Sequence, residues 1–150
     1  MKRVGVWLVT GLVLALPAAA TGALAQTPCS KTDFEAVVDE AAGALRDLNR
    51  ANTPQFQAKL RQLKDKRGWS NDQFMTEAEP FVRDATIAGF DQKSEELLGR
   101  IMSGGQAQST SDKPDCGLLG GLRATMKALV ETQKGKWAYM FDKLDKDLAK

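Results

Sequence analysis

Residues 32–51, TDFEAVVDEAAGALRDLNRA, decide the fold class. Phe34, Val37, Val38, Ala41, Leu45 and Leu48 recur mostly at three- and four-residue steps, which lines them along one face of an α-helix. Asp33, Glu35, Asp39, Glu40, Arg46 and Asp47 mostly occupy the remainder. Thr32 with Glu35 three residues on has the form of a capping box, a device that satisfies the backbone donors a helix start leaves free. A first helix is expected over about residues 32–51.

Toward the C-terminus the same period continues. Thr53-Pro54 supplies an N-cap and a proline at the first helical position, so a second helix is expected, with Phe56, Leu60 and Leu63 as its stripe and a stop near Gly68. Ser70 opens a third segment, in which Phe74, Ala78, Phe81, Ala85 and Phe90 are candidates for burial and Pro80 forces a kink or a split. Leu97, Leu98, Ile101 and Met102 predict another short helix ending at Gly104-Gly105, and residues 106–115 read as an exposed loop. The final stretch keeps helical spacing from Leu118 to Leu148, with Gly135 marking a place for a bend. No strand-like alternation is convincing. The fold expected is all-α, an up-and-down bundle of four to five helices.

Toward the N-terminus the reading changes from fold to address. Lys2 and Arg3, an apolar run from Val4 to Leu16, and small residues ending Ala23-Leu24-Ala25 have the order of a cleaved signal peptide. Residues 1–25 are assigned to it and residues 26–150 to a single helical domain, delivered to a bacterial-type periplasm or to the medium. The run is short for a membrane anchor and Pro17 interrupts it. The chain has 21 basic and 19 acidic side chains. Lys2 and Arg3 are the only charges before the cut, so the mature domain is balanced and a nucleic-acid partner is not expected.

Cys29 and Cys116 are the only cysteines, both in the exported part, and an even pair in an oxidising compartment reads as a disulfide. They stand just before the first and last helices. Five helices alternating in direction bring those two starts to the same end of the bundle, which agrees with a bridge. Chain-entropy reasoning assigns such a long loop a stabilisation of roughly 4 to 5 kcal/mol.

Much chemistry is missing. There is no histidine, hence no imidazole base or ligand, and no C-x-x-C-H haem motif. Glu77 and Glu79, or Glu95 and Glu96, diverge on a helix instead of converging like the acids of a glycosidase. Asp142, Asp145 and Asp147 lack the ligand spacing and turn glycine of a calcium loop. Gly117, Gly120 and Gly121 match no phosphate-binding pattern. No catalytic residue, metal or cofactor is assigned, and an enzyme is not expected.

Two groups of residues remain as candidate surfaces. Lys59, Arg61, Lys64, Lys66 and Arg67 form a basic patch; the acid-rich segment 70–96 offers an internal partner for it across a hairpin, and anionic envelope components an external one. Trp69, Phe74, Phe81, Phe90, Trp137, Tyr139, Met140 and Phe141 form either core stripes or a surface for a ligand or partner helix. Acidic side chains among the C-terminal lysines argue against peripheral membrane contact. In outline the chain is similar to the small acid-activated periplasmic chaperones: helical, histidine-free, with one disulfide and many carboxylates, though its cysteines lie farther apart. That likeness implies a holding role toward unfolded clients. The expected function is non-enzymatic binding of an envelope protein or unfolded client; the alternative is a carrier of a small apolar ligand between helices.

Overall fold

The computed structural model describes residues 28–150. The expected signal peptide and its cleavage point lie outside them. The described chain is all-α, in the order α1 (Lys31–Arg67), α2 (Asn71–Glu77), α3 (Glu79–Val82), α4 (Ala85–Ser109) and α5 (Cys116–Leu148), with the Cys29–Cys116 disulfide closed.

The long helices absorb boundaries that local signals suggested. Helices expected over 32–51 and from Pro54 to Gly68 are one helix of 37 residues, and Pro54 lies inside it. A proline there removes one backbone donor and costs about 3 kcal/mol. Two things offset that cost. Arg50, whose carbonyl loses its partner, is on the exposed surface. Phe34, Val37, Ala41, Leu45, Leu48, Asn52, Phe56, Leu60 and Leu63 form one unbroken stripe of buried and half-buried positions across the proline. The cap is also two residues earlier than expected. Ser30, not Thr32, caps α1, its hydroxyl accepting from the Asp33 N–H at 3.3 Å while the Asp33 carboxylate accepts from the Ser30 N–H at 2.7 Å. At the other end Gly68 adopts the left-handed conformation (φ 65°) and stops the helix as expected.

Pro80 does split the next segment, standing in the first turn of α3. The helix that follows does not stop at Gly104-Gly105 but runs on to Ser109. Gly104 meets the first turn of α5, where an added Cβ would lie 3.5 Å from Leu118 Cδ1. Gln108 then fastens the end of α4 to the loop, its Oε1 accepting from the Asp115 N–H at 3.1 Å. Asp115 caps α5 by accepting from the N–H groups of Gly117 and Leu118. Helix α5 is unbroken at Gly135, where the Phe90 ring of α4 occupies the space a side chain would need, 3.0 Å from an ideal Cβ.

Helix α5 is the spine. It packs on both α1 and α4, which scarcely approach one another. It runs parallel to α1: contacts between them join Cys29 to Cys116 at one end, Asn49 to Trp137 midway, and Lys66 to Leu148 at the other. It runs antiparallel to α4, with Asp84 near Tyr139 and Lys143, Asp91 paired with Lys136, and Ser94 accepting from Gln133 at 2.7 Å. The topology is therefore up-down-up in its long helices. Two apolar clusters form along the spine. One gathers Phe56, Leu60, Leu63, Phe81, Ile87, Met140 and Leu144; the other gathers Phe34, Val37, Leu119, Leu122 and Met126 beside the disulfide.

Candidate functional site

Because α1 and α4 flank α5 without meeting, a groove of about 640 Å³ opens between them at the disulfide end. Phe34 and Val38 of α1, Leu122 of α5 and Pro114 of the loop supply its apolar surface, and Gly105 and Ser109 its α4 wall. Its volume lies within the range of sites that hold sizeable ligands. Three large apolar residues of this half are exposed: Val38 (45%), Leu98 (46%) and Met102 (73%). Val38 belongs to the apolar face expected of the first helix, and Leu98 and Met102 to the apolar set that predicts the short helix before Gly104. Leu98 and Met102 extend the groove-facing side of α4, since Leu98, Met102, Gly105 and Ser109 follow one another at steps of four, three and four residues.

The rim is charged. Lys31, Glu35, Asp39 and Asp112 line it, and none of them forms an ion pair among the described residues. Three acids against one lysine leave the rim acidic. These residues look individually like ordinary solvated surface, which is why sequence reasoning passed over them.

The aromatic candidates lie at the opposite end and pack on one another. Trp69, Phe74, Trp137, Tyr139 and Phe141 are half-buried against the cluster that contains Phe81 and Met140. Phe56 makes edge-on contacts with Trp137 (5.9 Å between centroids) and Phe141 (5.5 Å). Phe90 joins this group through Tyr139, at 6.5 Å, as well as covering Gly135. The cavity that touches this cluster is about 260 Å³ and is lined by Arg67, Glu77, Lys143 and Asp147 besides Trp69 and Phe81. It is small, and half of its lining side chains are charged.

The basic patch is engaged with α5, not across the hairpin with the acid-rich segment. Lys59 pairs with Asp145 and Arg67 with Asp147; Lys66 donates to the Leu148 carbonyl at 2.6 Å. Cations at a helix C-terminus satisfy its free carbonyls and oppose its negative dipole end. Lys64 donates to Asn71 and lies 5.8 Å from the Phe74 ring centre. Arg61 is exposed. The acid-rich segment also turns to α5, through Asp84–Lys143 and Asp91–Lys136.

Asp84 is the most elaborate polar centre. One carboxylate oxygen accepts from the Ile87 N–H at 2.8 Å and caps α4; the other accepts from Tyr139 Oη and Lys143 Nζ, each at 2.7 Å. The Lys143 ammonium above all, then the Ile87 N–H and the Tyr139 hydroxyl, hold this carboxyl well below the usual carboxylate range. Lys143 also donates to the Pro80 carbonyl at 2.6 Å, so the three groups tie the α3–α4 junction to α5. Among the described residues no Asp or Glu is buried, and no three acidic or cysteine side chains converge as metal ligands do. No described helix is long and apolar enough to cross a membrane. No protein-family model matches the chain, and neither curated proteins nor solved structures give a match.

Proposed function

We propose that this is an exported, non-enzymatic binding protein that holds an apolar stretch of another polypeptide in the groove between α1 and α4. The observation that carries the reading is the groove itself. A bundle of three long helices ordinarily closes each helix on the other two, and here Val38 is uncovered in the groove while Leu98 and Met102 are exposed on α4 in helical register with its Gly105 and Ser109 wall. Export is supported by the leader-like first residues and by the disulfide, which persists in oxidising compartments. A small-ligand carrier built on the aromatics has less support, since Trp69, Phe74, Phe81 and Trp137 belong to one packed cluster and the cavity beside Trp69 and Phe81 is only about 260 Å³.

Two exposed methionines make the test clean. Met102 (73% exposed) belongs to the groove side and Met75 (76% exposed) to α2 at the far end. A permanently unfolded, carboxymethylated client titrated against the protein is expected to bind the parent and Met75→Lys alike and to lose most affinity for Met102→Lys and Val38→Lys. Equal binding by all four proteins, or binding by none, refutes the groove as the site.

A further inference from the structure

The rim of the groove restricts what can lie in it. This inference rests on the polypeptide-binding reading above and adds the partner's chemistry. We propose that the occupant is a cationic amphipathic helix, its apolar side chains against Phe34, Val38 and Leu122 and its lysines or arginines toward Glu35, Asp39 and Asp112.

Length, shape and charge agree. From Leu98 to Ser109 the groove-facing side of α4 spans roughly 16 Å at 1.5 Å per residue, about three turns of a helix laid alongside. The two walls are themselves helices, and the described chain has no strand to offer an extended peptide an edge. Rim acids without ion-pair partners can meet a partner's cations without first breaking internal contacts, and they select sign through complementarity. The same acids disfavour two other occupants. A second copy, joined by the same face, would bring its own Glu35, Asp39 and Asp112 against this set. An anionic membrane surface would meet the same repulsion.

The experiment uses two labelled three-turn peptides with one shared apolar face, one bearing lysines and the other glutamates on the polar face, titrated by fluorescence anisotropy against the whole exported chain. At low salt the lysine peptide is expected to bind at least about tenfold more tightly, with the gap closing near 1 M salt, where the Debye length is about 3 Å. The double variant Glu35→Lys, Asp39→Lys, changed only at exposed positions and checked for helicity, is expected to reverse the preference. Equal affinity for both peptides, lost in Met102→Lys, overturns the cationic partner while leaving the groove as a binding site. Absence of binding by either peptide overturns both readings. A dimer that Met102→Lys dissociates overturns the partner helix in favour of a second copy.

Discussion

The two ends of the bundle are closed by different means. At the far end, large side chains fill the space: Leu144 is fully buried, Phe56 stands edge-on to Trp137 and Phe141, and Lys59, Lys66 and Arg67 bind the last turn of α5. At the near end a smaller cluster is reinforced by one covalent bond, Cα atoms 5.5 Å apart, and a groove stays open beside it. Dense packing of large side chains holds the long helices together at the far end, although Met75 and Val82 stay exposed there. A covalent tie holds two helices together while the third face stays uncovered, so the disulfide allows the near end to keep a gap without coming apart.

The largest test breaks that tie. Cys29→Ser with Cys116→Ser removes a constraint spanning 87 residues, and chain-entropy reasoning predicts a loss of about 4.5 kcal/mol in urea unfolding. Amide exchange should quicken in the first turns of α1 and α5 and stay slow around Leu144; equal quickening at both ends defeats the comparison. Next in size are truncations of the two cores. Leu144→Ala is expected to cost about 4 kcal/mol, within the range for a fully enclosed side chain. Phe34→Ala removes more atoms yet is expected to cost about 3 kcal/mol or less, because Phe34 already borders open space. Denaturant midpoints that rank the two by size alone would show the near end to be as tightly packed as the far one.

How much of this was legible depended on whether a signal was local or needed a neighbour. Helical class, the stop at Gly68, the start at Ser70 and the break at Pro80 are all written in adjacent residues, and all are present. Thr53-Pro54 is also a local signal, but it misleads. The stripe from Phe34 to Leu63 stays in phase across it, and burial along α5 outweighs one missing donor. Gly104-Gly105 misleads too, since the α4 backbone stays helical through both residues to Ser109. The disulfide inference survives. Pro54 lies inside one helix where two were expected, and the segment expected to reach Phe90 joins the helix expected from Leu97 in α4, so the number of direction reversals between Cys29 and Cys116 remains even. The groove was not legible. It exists because α5 holds α1 and α4 apart, a spacing that no single segment encodes, and Val38, Leu98 and Met102 look like core positions until that spacing is known.

A smaller effect separates the ends by pH. The far end carries Asp84, whose carboxyl is depressed chiefly by Lys143. A group lowered on folding contributes fully above its unfolded-state pKa, about 3.9, and its contribution fades as pH falls below that value toward the folded one. Asp84→Asn is therefore expected to be less stable than the parent by a constant margin from about pH 5 to pH 8, and to converge on it below about pH 4. The disulfide has no proton to gain, so acid should loosen the α3–α4 junction while Cys29 and Cys116 stay joined. A margin unchanged down to about pH 2 would mean that Asp84 caps α4 without acting through its charge.

The smallest expected effect is also the most discriminating. Met75→Lys and Met102→Lys replace side chains that are about three-quarters exposed, and substitutions at such sites usually shift stability by no more than about 0.5 kcal/mol. Neither end should register the change in its melting temperature. Mild peroxide extends the comparison without mutation, since exposed thioethers oxidise to polar sulfoxides and both methionines are open to it. Oxidised protein should keep its helices yet bind the unfolded client less well, and Met102→Leu should protect binding where Met75→Leu does not. Protection by Met75→Leu instead would move the binding face to the far end, and would mean that the aromatic cluster, closed as it stands, opens to admit a client.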